Sequence, residues 1–153
     1  MKTGFVLIVI IMMFASIRAD PPAVGLNEKE FANGEEALIS LQGENKDMWI
    51  ISFYSDQAPA DDHEGVKAEI QSEMTKAFPE AKYWFGEIKL NQDYKWQKLY
   101  ETLGLVGEPK RGHTTPQVLV MQDGEGYVIF GPEIGKAVAK RYGKVTAGKV
   151  FGK

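Results

Sequence analysis

Apolar residues in this chain fall into three kinds of run, and each kind predicts a different element. The first kind is unbroken. Phe5-Val6-Leu7-Ile8-Val9-Ile10-Ile11-Met12-Met13-Phe14-Ala15-Ser16-Ile17 is thirteen apolar or small residues with no charge. It has no polar face to show water, so it predicts an N-terminal hydrophobic helix. The second kind is short and dense. Met48-Trp49-Ile50-Ile51-Ser52-Phe53-Tyr54 is almost continuously apolar and aromatic, the pattern of a central strand covered on both faces. Lys82 to Leu90 and Gln117 to Met121 predict two more strands. Tyr127-Val128-Ile129-Phe130 predicts the hairpin partner of the latter, since Asp123-Gly124 supplies the positive φ angles of a tight turn.

The third kind repeats at helical spacing. Ala37, Leu38 and Leu41 mark a short amphipathic helix, with Asn33 as its N-cap and Glu35 and Glu36 in its first turn. Val66, Ile70 and Met74, extended by Ala77 and Phe78, predict a helix over 64–78 that Pro79 stops. Trp96, Leu99, Tyr100 and Leu103 share one face of a helix over 92–103, with Asn91 as its cap and Gly104 at its end. Ile134, Ala137, Val138 and Tyr142 give a weaker final helix. Strands that alternate with helices pair in parallel through right-handed crossovers, and the hairpin adds an antiparallel pair. The expected fold class is therefore α/β, one mixed sheet flanked by helices on both faces. The expected organisation is a hydrophobic segment over 1–20, a linker over 21–33 opened by Asp20-Pro21-Pro22, a domain over 34–142 and a basic tail over 143–153.

Charge changes the picture. The net charge of −3 hides an asymmetry: residues 20–80 carry fourteen acids and four bases, whereas 81–153 carry seven acids and twelve bases. Nucleic acid is not expected as a partner, because the acidic part of the chain would be repelled by phosphate. The basic C-terminal stretch reads as a solvated tail or as a docking surface for an anionic partner. The leader has two open fates. Its length suits a signal-peptide core, with Ile17-Arg18-Ala19 as a cleavage site, better than a full span of roughly 20 residues. Alternatively it is retained as an anchor through Phe5, Ile10 and Ile17, with Lys2 and Arg18 reaching the headgroups.

The element order and three local sequences resemble the thioredoxin-like superfamily. Ile51-Ser52-Phe53-Tyr54-Ser55 is similar to the strand that enters that family's active-site loop. Gly86-Glu87-Ile88-Lys89-Leu90-Asn91-Gln92-Asp93 is similar to its second parallel strand, and Thr114-Thr115-Pro116-Gln117-Val118-Leu119-Val120 to its cis-proline loop and hairpin. The resemblance covers roughly residues 34–142. It implies that Ala58-Pro59-Ala60-Asp61 stands where the redox tetrapeptide would be, that Ser52 stands for the buried acid, and that Pro116 is cis where a trans bond is otherwise the default. It also implies that the backbone around Thr114, Thr115 and Pro116 could pair with an extended peptide, a form of strand addition.

The departure from the family decides the chemistry. The chain contains no cysteine, and only a thiolate performs thiol–disulfide exchange. No catalytic residue is therefore assigned. Asp61-Asp62-His63-Glu64 is the densest run of ligand-type side chains, but successive helical residues diverge by about 100° and do not converge on one ion. It reads as helix-terminus acids rather than a metal site. His113 beside Thr114 and Thr115 lacks an oxyanion hole or nucleophile elbow, so it does not predict a hydrolase. Gly104, Gly107 and Gly112 form no phosphate-binding fingerprint. Trp49, Trp84, Trp96, Tyr83, Tyr94 and Tyr100 read mostly as core rather than as a cofactor stripe. No cofactor and no small-molecule substrate are expected. The expected partners are other protein subunits and, through the leader, a membrane: the mitochondrial inner membrane or one of the secretory pathway. The first expectation is a non-catalytic accessory subunit of a membrane complex. The alternative is a signal-cleaved, lumenal or exported peptide-binding protein.

Overall fold

The computed structural model describes residues 22–42, 46–54, 63–89, 94–104 and 116–146. The strands are β1 (Gly25–Glu28), β2 (Met48–Tyr54), β3 (Lys82–Lys89), β4 (Gln117–Gln122) and β5 (Glu125–Ile129). The α-helices are α1 (Gly34–Gln42), α2 (His63–Ala77), α3 (Gln97–Leu103) and α4 (Ile134–Thr146). The strands form one sheet in the order β1-β3-β2-β4-β5. β2 and β1 both run parallel to β3, while β4 runs antiparallel to both β2 and β5. The architecture is the expected mixed sheet.

Strand alternation sends side chains to two separate cores. Met48, Ile50, Tyr83, Phe85, Val118 and Val120 meet Ile70 and Met74 of α2 and Ile134, Val138 and Tyr142 of α4. Trp49, Ile51, Phe53, Ile88, Leu119 and Met121 meet Ala37, Leu38 and Leu41 of α1 and Trp96, Leu99 and Tyr100 around α3. β2 is central and buried along nearly its whole length, which explains its unbroken apolar run.

Local signals formed as their chemistry requires. The Asn33 Oδ1 accepts from the Glu36 amide at 2.9 Å, and the Glu36 carboxylate accepts from the Ala32 amide at 2.7 Å. This is reciprocal capping of α1. Asp123 and Gly124 have φ of 51° and 75°, the left-handed pair of a type I′ turn. Gly104 caps α3 in the left-handed region at φ 66°, ψ 26°.

Three expectations are corrected. The stretch 21–33 is more than a linker, because Gly25–Glu28 adds a parallel edge strand to β3. That strand has only one strongly apolar residue, Leu26, and is held by hydrogen bonds. Asn27 Nδ2 donates to the carbonyls of Ala23, Gly25 and Tyr83. Of the helix expected over 92–103, the described part opens as a 3₁₀ turn, Tyr94–Trp96, and becomes α-helical at Gln97; the expected cap, Asn91, lies outside the described residues. Its N-cap is Trp96, without a side-chain cap, because that indole is buried in the second core. The basic tail also starts later than 143: α4 continues to Thr146 and buries Val145. The N-terminal hydrophobic helix, with Phe5, Ile10 and Ile17, lies outside the described residues. Among the described residues no helix is long and apolar enough to cross a membrane.

Candidate functional site

β2 and β3 end together, Tyr54 in register with Lys89, whereas β1 stops four residues earlier, at Glu28 opposite Phe85; β4 begins beside the end of β2. Phe53 of β2 is in register with Gln117 of β4. The last residue of β2, Tyr54, thus lies next to the start of β4, where Pro116 is buried. Two sequence-predicted segments attach at these neighbouring points. Ala58, Pro59, Ala60 and Asp61 follow Tyr54, and Thr114 and Thr115 precede Pro116. Those six residues lie outside the described residues, as does the Thr115–Pro116 bond expected to be cis. Of the residues of these two segments, the structure describes Pro116 alone.

Ser52 is two residues before the end of β2. It is fully buried, and its Oγ has no hydrogen-bond partner among the described residues. Its neighbours in register are Glu87 on β3 and Val118 on β4. The position that the resemblance assigns to a buried proton-transfer acid therefore holds a small hydroxyl, with Glu87 in register on one side and Val118 on the other. A hydroxyl of this kind does not titrate near neutral pH.

A cleft of about 340 Å³ opens at the carboxyl ends of β1, β2 and β3, lined by Glu28, Lys29, Glu30, Phe31, Tyr54, Lys67, Phe85 and Glu87. Sequence reasoning missed it, because half of its lining comes from 28–31, read as linker. Crevices at the carboxyl ends of parallel strands are where open α/β sheets commonly take ligands. Here Lys67 of α2 forms an ion pair with Glu28, and its ammonium is 5.9 Å from the centre of the Phe85 ring. The cleft thus places a cation against carboxylates and an aromatic face. Its described lining offers charge and hydrogen bonds and includes no imidazole. A second hollow, about 430 Å³, lies between Leu103 of α3 and Leu119, Met121, Tyr127 and Val128 of the hairpin. Its described lining is chiefly apolar and includes no acid or base.

Two phenols whose titration is shifted lie at the other end of the sheet. Burial, with Tyr142 as a lesser contributor, pushes the Tyr83 phenol up to about 12. Burial also raises the Tyr142 phenol. Their rings meet edge to face at 6.4 Å. These are core tyrosines of the α2/α4 side, not part of the cleft. Among the described residues no group of three or more His, Asp or Glu side chains could hold a metal ion. Trp49 and Trp84 stack at 5.8 Å, and Trp84 Nε1 donates to Asp47 at 3.1 Å. Trp49, Trp96, Tyr83 and Tyr100 are buried and Trp84 is half-buried, which makes them core or core margin. Tyr94 is the exception, at 87% exposed.

The strand order, the antiparallel hairpin and the paired helices on each face define a thioredoxin-like fold. Solved structures bear this out. Thioredoxin from Trypanosoma brucei brucei is similar over 86% of this chain and 97% of its own, with a TM-score of 0.52 and 11% identity. A designed protein is similar over 84% of this chain and 97% of its own, with a TM-score of 0.50 and 15% identity. Identities this low carry the fold and nothing beyond it. No family model matches the chain, and no curated protein sequence matches it. The class that fold and site define is a thioredoxin-like domain without redox cysteines.

Proposed function

We propose that this protein is a redox-inert contact module, an accessory or scaffold subunit of a membrane protein complex tethered by its apolar segment over 5–17. One observation carries the reading: a thioredoxin-like fold in a chain with no cysteine. The scaffold is kept and its reactive atoms are gone, so surfaces are what remain to do its work. The 5–17 run supports the tether, and the opposite charge of the two halves supports oriented docking, which steers partners more than it adds affinity. A mitochondrial inner membrane is the first candidate among membranes.

The test is co-migration. After mild detergent extraction the native protein should run with a large complex, and that association should survive salt. The purified protein should leave insulin disulfides intact. Reduction of insulin, or a native protein that runs alone as a monomer, would sink the proposal.

A second reading is favoured by the buried Pro116 beside Tyr54 and the open cleft next to them. In it the chain is processed in the secretory pathway and binds extended polypeptide without redox chemistry. A mature N-terminus at Asp20 would support this reading and exclude the tether. Intact mass distinguishes the two.

A further inference from the structure

α4 has two ridges at the same spacing, one residue apart. Gly135, Ala139 and Gly143 face α2: a Cβ on Gly135 would lie 2.7 Å from Glu69, and one on Gly143 would lie 3.0 Å from the Phe78 ring beyond the end of α2. Lys136, Lys140 and Lys144 follow each by one position; Lys136 and Lys140 are exposed and Lys144 is half-buried. Arg141 lies on the far flank, its guanidinium 4.7 Å from the centre of the Tyr127 ring on β5. The helix carries four bases and no acid. Lys136 is paired to Glu133 at 3.0 Å. Lys140, Arg141 and Lys144 have no ion pair among the described residues. The nearby acids of α2 are engaged elsewhere, Glu69 by the Gly135 amide and Glu73 by Lys76.

The position of this basic half matters as much as its charge. Tyr142 meets Tyr83 at the amino end of β3 and Phe78 just before it. β1 begins at that same end, since Gly25 is in register with Lys82 and Leu26 with Tyr83. The unpaired bases therefore lie at the end of the sheet where the chain from the apolar segment enters. Seven residues separate Ile17 from Gly25, a reach of about 25 Å at full extension. Lys46 and Lys82 add exposed bases at this end. The exposed acids there, Glu80, Asp123 and Glu125, lie on connections and on β5, off the helix.

We propose that the Lys140–Arg141–Lys144 face of α4 rests on anionic phospholipid headgroups of the membrane that holds the tether. The proposal builds on the tethered reading, because the short connection keeps this face near the leaflet at high effective concentration. A straight basic ridge on one helix suits a flat anionic surface, to which each Lys or Arg near it is drawn. A duplex is disfavoured by the acidic half of the chain.

The test uses the full chain with vesicles of phosphatidylcholine alone, or with roughly one third phosphatidylserine. Lysine acetylation is mapped by mass spectrometry, with the exposed Lys98 of α3, on the opposite face of the sheet, as the internal reference. On the anionic vesicles Lys140 and Lys144 should label about fivefold more slowly than on the neutral ones. The difference should vanish near 0.5 M salt, where screening is roughly 4 Å. A Lys140→Gln, Lys144→Gln variant keeps the Arg141–Tyr127 stack and should lose the phosphatidylserine-dependent gain in flotation. Equal labelling on both vesicles would overturn the proposal, and protection found only in the native complex would overturn it in favour of an acidic protein face. Flotation with neutral vesicles reads the tether separately. A chain that fails there but shows phosphatidylserine-dependent protection loses the tether and keeps the headgroup contact.

Discussion

Ser52 shows how much one side chain can say. The run around it predicts a central strand, and its hydroxyl is the polar interruption. Buried without a partner among the described residues, that hydroxyl has lost its water and gained nothing in exchange. Ser52→Ala should therefore stabilise the protein by about 0.5–1 kcal/mol in denaturant unfolding, against the usual cost of core substitutions. A loss of stability would mean that Ser52 has a partner. Tyr83 makes a second case, through pH. Its phenol is raised from the ordinary 10.0 to about 12 in the folded chain. Between those values the unfolded chain has given up a proton that the folded chain keeps. The stability from this group is thus complete below about pH 10 and lost as pH climbs through about 12. The upward shift of Tyr142 acts in the same direction. Denaturant curves across this window should show a steeper alkaline loss in the parent than in Tyr83→Phe. Equal slopes would show that the shift does not exist.

At the scale of elements, what formed as read is what local chemistry dictates. Asn33 caps α1 through its own side chain, so Asn33→Ala should cost about 1 kcal/mol by thermal or denaturant unfolding. A neutral result would mean water replaces the cap. α4 is a contrary case, in which helix propensity and packing disagree. Gly135→Ala gains about 1 kcal/mol of propensity. Yet its methyl would press on the Glu69 backbone at 2.9 Å, and overpacking of this kind costs about 1–3 kcal/mol. Packing should win, with a lowered unfolding midpoint; a raised midpoint would show that α2 can give way. β1 was not legible, for a plain reason. Hydrophobic periodicity reports side chains facing a core, and this edge strand is held by backbone pairing and by Asn27. The cleft went unseen with it, because Glu28, Lys29, Glu30 and Phe31 become a wall only once β1 joins the sheet.

For the whole molecule, the sheet divides the interior in two. Ile70 is buried in the α2/α4 core and Ile51 in the α1/α3 core. Ile70→Val and Ile51→Val should each cost about 1 kcal/mol. Their sum should hold within about 0.5 kcal/mol in the double variant, because they share no contact across the sheet. A larger deviation would show that the two cores move as one. The sequence by itself determined the absence of thiol chemistry, since composition needs no fold to exclude a reaction. It also determined the buried central strand, the tight turn and the α1 cap, because each depends on residues close together in the chain. Only the tertiary structure decided the edge strand, the mixed-charge cleft and the alignment of the carboxyl end of α4 with the start of β1. Those depend on groups distant in sequence meeting through sheet register, which local patterns do not encode.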